Sequence, residues 1–572
     1  MIRMIKKMSM PAVLLAIFFM IIQIISDLFL PTLTSNIIDK GVTQGDIQYI
    51  WKIGFIMIGV SLIGIVASVF NTLIATRQSQ KLGKKLRSEI YKKVEYASQN
   101  EFDKIGTASL ITRTTNDVNQ IQMVSQMFLR IMINAPLTLV GASVLAYYRD
   151  GQLTKIFLFI VPLIIIAVGS IMYFATPLFK SLQEKTDRLN LVFREGLTGV
   201  RVIRAFNKTT FEEKRFDVAN KDYAQTSIKV NTIMSFLLPT ITLIISITNV
   251  LIIWFGGHNV ANGTLEVGNM MAFMTYAMQI LMSFVMMAMI FIFVPRAQAS
   301  AVRINEVLDM TDAIEDPEKS KPFSDNSHLR FDNVTYQYVG AENPALCDVT
   351  FNSEKGETVA IIGGTGSGKS TLVSMIPRFF DVSGGAVEVD EVNVKDVRQY
   401  DLREKVSFVP QKAVLFTGDI RSNMKYGYKD ATDEDIWRAL EIAQAKDFVS
   451  ELSDGLESKV EQGGSNFSGG QRQRLCIARA LVKPASIYVF DDSFSALDFK
   501  TDAALRKALK EAITDAVVVI VAQRISTVVD ADTILVLDDG KMVGRGTHQT
   551  LKDSNKTYRE IIESQLSQEE IA

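Results

Sequence analysis

The segment from residue 363 to residue 371 has the residue types and spacing of a loop that wraps around the phosphates of a nucleotide. It fits Gly-x-x-x-x-Gly-Lys-Ser/Thr, in which glycines let backbone N–H groups approach the phosphate oxygens. Lys369 would reach the β- and γ-phosphates, and Ser370 would offer its hydroxyl to Mg²⁺. The residues of this loop are Gly363, Gly364, Thr365, Gly366, Ser367, Gly368, Lys369, Ser370 and Thr371. The pattern predicts a chain that binds a nucleoside triphosphate together with Mg²⁺.

The residues on either side of this loop predict the elements that position it. Thr358–Ile362 is a continuous apolar run of the kind that forms a buried strand, and 370–380 is expected to form a helix. The N-terminus of that helix would direct backbone N–H groups and the positive end of its dipole at the phosphates. Strand, loop and helix together favour a nucleotide site over a glycine-rich surface turn.

Four further motifs supply polar groups of the types that hydrolysis requires. Asp491 follows the apolar strand Ile487–Phe490, where a carboxylate can hold Mg²⁺. Gln411 follows another strand, and its amide could reach Mg²⁺ and the attacking water. The other two motifs are a small-residue turn at a helix start, suited to an anion, and a Ser-Ala-Leu-Asp segment; they comprise Ser468, Gly469, Gly470 and Gln471, and Ser495 to Asp498. Each motif alone is weak evidence, but their order after a phosphate loop is highly specific.

The composition of the chain separates a membrane-embedded half from a soluble half. Of the 572 residues 48% are hydrophobic, and the net charge of −1 lacks the basic excess of nucleic-acid-binding proteins. Apolar runs long enough to cross a bilayer occur six times before residue 295. The predicted spans are Ala12–Leu33, Ile53–Ile74, Phe128–Tyr148, Ile156–Phe174, Ile233–Phe255 and Met270–Val294. We therefore predict an α-helical six-span transmembrane domain in residues 1–310, a polar linker in 311–326 and an α/β P-loop NTPase domain in 327–572.

Lysine and arginine residues predict how the six spans are oriented. They concentrate in the segment after span two and in the segment after span four, whereas residues 256–269 contain none. Because basic residues favour the cytoplasmic side, both long segments, both termini and the 327–572 domain are expected in the cytoplasm. The basic residues in question are Arg77, Lys81, Lys84, Lys85, Arg87, Lys92 and Lys93, and then Lys180, Lys185, Arg188, Arg194, Arg201 and Arg204.

These two basic segments have the periodicity of helices that continue beyond the membrane and then turn back. Their tips, near Phe102–Thr115 and Asn207–Phe216, are expected to contact a cytoplasmic domain. The alternative is a plain solvated loop, which the length and the helical periodicity disfavour.

Two features within the spans are candidates for a substrate cavity. Asp27 lies inside span one, where a carboxylate is costly and should face a polar interior. It could contact substrate or a proton, or it could make a structural hydrogen bond to a neighbouring helix. Span six carries methionines at i,i+4 spacing, including Met274, Met278 and Met282. Such a stripe is typical of helix packing, but flexible thioethers would also let a cavity accept varied hydrophobic compounds.

Taken together, the motifs and the spans resemble a bacterial ATP-binding cassette (ABC) half-transporter of the exporter type along essentially the whole chain. That resemblance implies two paired chains, with ATP and Mg²⁺ held between the phosphate loop of one chain and the Ser468–Gln471 signature of the other. It implies that Tyr338, in Val334-Thr-Tyr-Gln-Tyr338, stacks on adenine, although an ordinary strand aromatic is the alternative. It also implies that the tips of the long segments are coupling helices and that Asp498 belongs to the family's D-loop.

Two departures from the pattern of that family bear directly on hydrolysis. Asp492 stands where the family has a glutamate that polarises the attacking water, and it is one methylene shorter. Gln523 replaces a histidine that contacts the γ-phosphate, and glutamine does not titrate near neutral pH. Displacing a catalytic group by about 1 Å costs on the order of 100-fold in rate. These departures favour one subunit of a heterodimer, with a slow nucleotide site of its own, over a homodimer that works adequately with aspartate and glutamine.

The sequence therefore predicts a multi-pass subunit of an ATP-driven exporter in a bacterial cell membrane. Its expected partners are the lipid bilayer, a second, similar chain and a hydrophobic small-molecule substrate, such as an amphipathic drug or a lipid-like compound. Hydrolysis is expected mainly at the partner's site, which the signature of this chain would complete. A lipid flippase is an alternative of the same class, and an ATP-gated regulatory or channel-like subunit is a rival from another class.

Overall fold

A computed structural model describes residues 2–310, 314–324 and 327–569. The chain divides into two compact units, of which the first comprises Met1–Lys93 and Ala108–Asp309 and the second Val94–Thr107 and Met310–Ala572. The predicted linker at 311–326 lies outside the described residues at 311–313 and 325–326, and so do residues 570–572 of the predicted P-loop domain.

Helices account for the described part of the chain up to residue 308, apart from short turns and connections. Several of them continue into one another through single π-helical turns at Ile37–Val42, Arg113–Asp117 and Phe128–Met132. The α-helices are α1 (Ile2–Ile5), α2 (Met10–Asn36), α3 (Ile47–Glu95), α4 (Gln99–Ile105), α5 (Thr107–Thr112), α6 (Val118–Met127), α7 (Asn134–Arg149), α8 (Ile156–Thr198), α9 (Val200–Ala205), α10 (Thr209–Ser235), α11 (Leu237–Ala261) and α12 (Val267–Leu308).

Six helical stretches among the described residues are long and apolar enough to cross a membrane, which confirms the predicted six-span domain. They are Met10–Val42, Ile47–Glu95, Thr107–Arg149, Leu153–Thr198, Thr209–Ala261 and Val267–Met287. Helix α3 alone has 49 residues. At a rise of about 1.5 Å per residue it is roughly 70 Å long, more than twice the hydrocarbon thickness of a bilayer. Helix α3 therefore continues well beyond the membrane.

The first unit packs around an apolar core that is shared by α2, α7, α8, α11 and α12. Phe273 and Tyr276 are fully buried in this core. The Tyr276 hydroxyl donates to the Leu28 carbonyl at 3.0 Å, and the Asn71 amide donates to the Ala16 carbonyl at 2.8 Å. Because a polar group in a membrane interior finds no water, these interhelical hydrogen bonds fix how the helices pack.

The second unit contains an α/β domain with a ten-stranded sheet, in the order β5-β4-β1-β2-β12-β11-β3-β10-β9-β6. The run from β11 to β6 is parallel, whereas β1, β2, β4 and β5 pair antiparallel. This sheet confirms the predicted α/β class. The strands are β1 (Leu329–Tyr336), β2 (Leu346–Ser353), β3 (Thr358–Gly363), β4 (Gly384–Val389), β5 (Val392–Asn393), β6 (Val406–Val409), β7 (Gly418–Asp419), β8 (Lys459–Val460), β9 (Ile487–Asp491), β10 (Val517–Val521), β11 (Thr533–Asp538) and β12 (Lys541–Gly546).

The helices of this domain pack on both sides of the sheet through two apolar cores. They are α13 (Lys369–Ser374), α14 (Gln399–Lys405), α15 (Ile420–Gly427), α16 (Asp433–Ile442), α17 (Lys446–Ser450), α18 (Gly469–Leu481), α19 (Phe499–Ala512), α20 (Ile525–Val528), α21 (His548–Ser554) and α22 (Lys556–Glu569). The helix predicted for 370–380 is wrong in its length, because α13 ends at Ser374. Pro377 removes a helical N–H donor and Arg378 has a φ of 53°, which is not a helical value, so the helix does not extend to residue 380.

The parallel strands bring the candidate residues to one edge of the sheet. In the register, Val521 lies beside both Ile361 and Asp491, and Val409 lies beside Phe490. The carboxyl ends of β3, β10, β9 and β6 therefore meet there, and the chain continues from them into the phosphate loop, Gln523, Asp492 and Gln411. Ligands bind at this edge in open α/β sheets.

Candidate nucleotide-binding site

The phosphate loop follows β3 directly and leads into α13, as its sequence predicts. Gly368 is the N-cap of α13 with a φ of 97°, a left-handed conformation that glycine adopts without strain. A Cβ atom on Gly363 would lie 2.2 Å from the Leu537 carbonyl oxygen, so only glycine fits there. A Cβ atom on Gly364 or Gly366 would meet nothing within 4 Å. The loop is thus anchored at its ends and open in its middle, which suits a cradle for phosphates.

The Lys369 side chain lies inside the loop with its ammonium group on backbone oxygens. Its Nζ donates to the Gly363 carbonyl at 2.9 Å and to the Gly364 carbonyl at 2.6 Å. Burial lowers the pKa of Lys369, and the nearby carboxylates of Asp492 and Asp491 act in the opposite direction. A phosphate group would replace weak carbonyl partners with full negative charge, so this ammonium is placed to bind one.

Ser370 and Asp491 form the pair that would hold Mg²⁺. The Ser370 hydroxyl donates to Asp491 Oδ1 at 2.9 Å, and Asp491 is 6% exposed at the end of β9. Burial raises the pKa of Asp491, the Ser370 hydrogen bond lowers it, and the charge of Asp492 raises it further. One hydroxyl and one carboxylate suit Mg²⁺, which keeps several waters and takes other ligands from phosphates. When bound, Mg²⁺ neutralises phosphate charge during transfer.

Asp492 is the centre of a small hydrogen-bond cluster of side chains. Gln411 Nε2 donates to Asp492 Oδ2 at 3.2 Å, and Gln523 Nε2 donates to the same oxygen at 2.8 Å. Asp492 is 7% exposed and has a φ of 48°, a left-handed conformation that is uncommon for a residue with a side chain. Strained conformations of this kind cluster at functional sites. The structure therefore brings together all three residues that the sequence nominated for the hydrolytic step.

The electrostatics of this cluster are dominated by burial. Burial raises the pKa of the Asp492 carboxyl, while the hydrogen bonds from Gln411 and Gln523 and the charge of Lys369 lower it. Because two amides already donate to Oδ2, that oxygen has little capacity left to accept a hydrogen bond from a water molecule. The Gln523 amide directs one of its two N–H groups at Asp492, which fixes the direction in which the other can donate.

Tyr338 lies beside the phosphate loop. Its hydroxyl shares a hydrogen bond of 3.0 Å with Thr371 Oγ1. Its ring meets Tyr336 edge-on, with centroids 4.9 Å apart, and the side chain remains 37% exposed. An aromatic ring that is fixed next to the loop and still exposed can offer a face to a base.

The Ser468–Gln471 segment begins the 13-residue helix α18. Gln471 N–H donates to Ser468 Oγ at 3.2 Å, and Ser468 N–H donates to Gln471 Oε1 at 2.9 Å, which is a complete capping box. A Cβ atom on Gly469 would meet nothing within 4 Å, and one on Gly470 would lie 3.3 Å from the Ala496 carbonyl. The helix start is therefore rigid and unobstructed, so its free N–H groups and dipole are available to an anion.

Asp498 serves a structural purpose in this chain. Its carboxylate caps α19 by accepting hydrogen bonds from the Thr501 backbone N–H at 2.9 Å and the Thr501 hydroxyl at 2.8 Å. The backbone hydrogen bond from Thr501 is the main reason that its pKa is lowered. Its position in the turn after Asp492 fixes the path of the Ser495–Asp498 segment.

Two residues that hold this site together were missed by the sequence analysis. Gln565 on α22 donates to the Gln523 carbonyl at 2.7 Å and accepts from the Ile525 N–H at 2.8 Å. Arg524 donates to the Ser495 and Leu497 carbonyls at 3.4 Å and 3.5 Å. The Gln523 segment is thus fastened both to the last described helix and to the Ser495–Asp498 turn. No local pattern marks Gln565, since its role depends on contacts 42 and 40 residues away.

Family models match both halves of the chain. The model described as "ABC transporter transmembrane region" matches residues 13–284, and the one described as "ABC transporter" matches residues 346–495. An uncharacterized ABC transporter ATP-binding protein of Mycobacterium tuberculosis is 39% identical over 554 residues, which is 96% of this chain and 95% of that protein. This chain belongs to the ABC transporter family.

Other relatives of this ABC transporter agree over similar lengths. An uncharacterized ABC transporter ATP-binding protein of Bacillus subtilis is 33% identical, covering 97% of this chain and 96% of that protein. An ATP-dependent lipid A-core flippase of Vibrio vulnificus is 28% identical, covering 96% and 94%. A bacterial Atm1-family ABC exporter, solved with ATP bound, superposes with a TM-score of 0.79 over 97% of this chain and 98% of that one, at 23% identity. The transporter therefore has an exporter fold.

The residues nominated for a substrate cavity of the transporter occupy different environments. Asp27 and Met282 line one cavity of about 500 Å³ in the first unit. Met274 packs half-buried against the apolar core of that unit. Met278 is 54% exposed and is not among the residues that line the cavity. The methionine stripe is thus divided along α12 between packing and an accessible surface.

Proposed function

We propose that this ABC transporter is one subunit of a heterodimeric bacterial exporter whose own nucleotide site holds ATP and hydrolyses it slowly. Its phosphate loop, with Ser370 and Asp491, binds ATP and Mg²⁺. Its Ser468–Gln471 segment completes the nucleotide site of a second, similar chain, where most hydrolysis takes place. Closure of the paired cassettes around ATP drives the spans between two states of access.

The observation that carries this proposal is the pair of glutamine amides on one oxygen of Asp492. A water-activating carboxylate needs a free acceptor oxygen at the correct distance from the γ-phosphate. Asp492 is one methylene shorter than glutamate, and Gln411 and Gln523 already occupy its Oδ2, so only Oδ1 is left to accept from a water molecule. The same hydrogen bond holds the Gln523 amide at Asp492. Both effects slow the chemical step without weakening the groups that bind ATP.

The intact start of α18 supports the assignment of hydrolysis to the partner's site. Ser468 and Gln471 are locked in a capping box, and no side chain projects from Gly469 or Gly470. Nothing in this segment departs from what an anion site at a helix start requires. Within one cassette, the Asp492 cluster therefore favours slow hydrolysis at this chain's own site, whereas the Ser468–Gln471 segment favours hydrolysis at the partner's site.

The long helical segments support transmission between the cassette and the spans. Val94–Thr107, which includes α4, forms one compact unit with Met310–Ala572. The segment from α9 to the first turn of α10 exposes Val202, Phe206 and Phe211, an apolar surface that a partner's cassette could cover. We assign both segments, both termini and the cassette to the cytoplasm of a bacterial inner or plasma membrane, because their basic residues favour that side.

The substrates are proposed to be amphipathic drugs or lipid-like compounds. The cavity beside Asp27 combines apolar and polar side chains, which suits molecules of mixed character. A lipid flippase is a second candidate, supported by the 28% identity to the Vibrio vulnificus lipid A-core flippase over 96% of this chain.

A gain-of-function variant tests the proposal. Asp492→Glu, alone and with Gln523→His, should raise the ATPase turnover of the purified full-length chain in lipid nanodiscs on the order of 10- to 100-fold, since it restores the reach of the catalytic carboxylate. Turnover is measured by phosphate release at saturating Mg·ATP. Adding Lys369→Ala to the double variant should abolish the gain, which locates it at this phosphate loop.

The matched control is Asp430→Glu, the same change in an exposed loop of the cassette, which should leave turnover unchanged. If the unmodified chain already hydrolyses ATP at the rate of an intact paired transporter, and if Asp492→Glu adds nothing, the chain is a working homodimer and the proposal is wrong. Transport of a labelled lipid by vesicles that hold this chain as their only ABC subunit would likewise favour a homodimeric flippase.

A further inference from the structure

A cavity of about 500 Å³ lies between α2, α7 and α12 of the first unit. This volume is within the range of sites for drug-sized molecules, which is about 300–1,000 Å³. All of its lining residues belong to the same compact unit. They are Gln23, Asp27, Leu30, Pro31, Thr34, Asn134, Thr138, Thr275, Gln279, Met282, Ser283 and Met286.

The cavity contains one acidic side chain and no basic one. The Gln23 side chain hydrogen-bonds Asp27, but within the described residues no lysine or arginine forms an ion pair with it. A carboxylate at membrane depth without a counter-ion is costly, and such residues mark substrate or ion pathways. A positively charged ligand would supply the missing counter-ion, whereas an anion would be repelled.

Gln279 also lines this cavity, and its amide carries a second acceptor next to it. Its Nε2 donates to the Asp27 backbone carbonyl at 3.3 Å, which ties α12 to α2. Its Oε1 is buried and has no hydrogen-bond partner among the described residues. An unsatisfied buried acceptor is costly, and a ligand with a donor group or a positive charge would relieve that cost.

Apolar and polarizable groups complete the lining. Leu30, Pro31, Met282 and Met286 surround the polar side chains, and both methionines keep about two-fifths of their surface exposed, at 39% and 40%. Thioethers are flexible and polarizable, so they fit apolar groups of different shapes and interact well with aromatic rings. The cavity thus offers a negative and hydrogen-bond-accepting part beside an adaptable apolar part.

We propose that this cavity is a binding site for amphipathic organic cations, in which Asp27 is the counter-ion, Gln279 a polar acceptor, and Met282 and Met286 the contacts for the apolar groups. This inference rests on the proposed function in one respect only, namely that the bound cation is the transported substrate. Binding itself requires neither the partner chain nor hydrolysis.

A pair of probes that differ in charge but have nearly the same shape tests the site. Tetraphenylphosphonium is a cation and tetraphenylborate is an anion. Binding of each to the full-length chain in nanodiscs is measured by equilibrium dialysis without nucleotide, after subtraction of partitioning into empty nanodiscs. We expect saturable binding of the phosphonium only, and Asp27→Asn should weaken it by roughly tenfold, as expected for loss of a partly screened charge pair.

Matched variants separate this site from general effects on the fold. Asp46→Asn removes a carboxylate from the turn after α2 that is not part of the cavity, and it should leave phosphonium binding unchanged. Met282→Leu, which keeps the volume but removes the sulfur, should weaken binding a few-fold. Met274→Leu, in the packed part of the same helix, should not weaken it. An unchanged melting temperature of the full-length chain in nanodiscs shows that each variant is folded.

The results distinguish this inference from the proposed function. Equal saturable binding of the two probes, no saturable binding of the phosphonium, or an Asp27→Asn variant that binds it as well as the unmodified chain would each overturn the cation site. None of these results depends on turnover. Conversely, a failure of Asp492→Glu to raise ATPase activity overturns the slow-site proposal and leaves the cation site standing.

Discussion

The phosphate loop and the Asp492 cluster lie at the same edge of one sheet, yet they are built in different ways. The loop presents backbone N–H groups and the Lys369 ammonium, which tolerate small displacements because charge attraction falls slowly with distance. The cluster relies on three side chains, and these already satisfy one another through Asp492 Oδ2. Holding a nucleotide and cleaving it are thus separable tasks, and one can be kept while the other is altered.

The largest expected effect is on the affinity of the phosphate loop for ATP. Lys369→Ala removes the buried ammonium, and a hydrogen bond to a charged group is worth about 1.5–3 kcal/mol. ATP affinity should fall by up to about 100-fold, measured by fluorescence of a labelled ATP analogue. Asp492→Asn should change the same affinity less than about twofold. If the two variants lose affinity equally, holding and cleaving are not separable here.

A smaller effect is expected on how strongly Mg²⁺ increases the affinity for ATP. Asp491→Asn takes away the carboxylate that would hold the cation, so the strengthening of ATP binding by Mg²⁺ should shrink by about tenfold. Binding in EDTA should be unchanged, because Lys369 and the loop remain. The comparison is again Asp492→Asn, which should keep the full Mg²⁺ effect. A loss of the Mg²⁺ effect in that variant would place the cation nearer to Asp492 than the Ser370–Asp491 pair indicates.

The smallest expected effect is on the melting temperature of the chain, and this effect should depend on pH. Burial raises the pKa of Asp492 in the folded chain, so folding is favoured when this carboxyl is protonated and that contribution is lost as pH rises through its raised pKa. At neutral pH, Asp492→Asn should therefore melt higher than the unmodified chain, by about 2 °C, in nucleotide-free scanning fluorimetry. The difference should shrink as pH falls below the raised pKa and vanish below the ordinary pKa of an aspartate carboxyl. A lower melting temperature at neutral pH would contradict this reading of the cluster.

Much of this site could be predicted from the sequence because its parts are local. A phosphate loop needs glycines and a lysine at fixed spacing, and Asp491, Asp492 and Gln411 each follow a recognisable apolar strand. Parallel pairing then brings the ends of these strands to one edge. The six spans were equally visible, since each needs about 20 consecutive apolar residues. The motifs of the nucleotide site and the six spans were both predictable because each depends on a local sequence pattern that determines the local backbone structure.

The remainder depends on long-range contacts that leave no local signal. The hydrogen bond between Gln523 and Asp492 joins residues 31 positions apart, and a sequence pattern does not specify which amide meets which carboxylate. The methionines of α12 repeat evenly, but only the packing of neighbouring helices decides that Met274 is half-buried while Met282 lines a cavity. The end of α13 at Ser374 was missed because a left-handed Arg378 is a property of the fold.

The hydrogen bonds of Gln565 connect the last described helix to the Gln523 segment, so changes at the nucleotide site can be monitored from that helix. Gln565 grips the backbone on both sides of Arg524, at the Gln523 carbonyl and the Ile525 N–H. Any movement of the backbone at Gln523 must therefore either move α22 as well or break these hydrogen bonds. A spin label on the exposed face of α22 would therefore report backbone movement at Gln523, without any change to the residues that touch ATP.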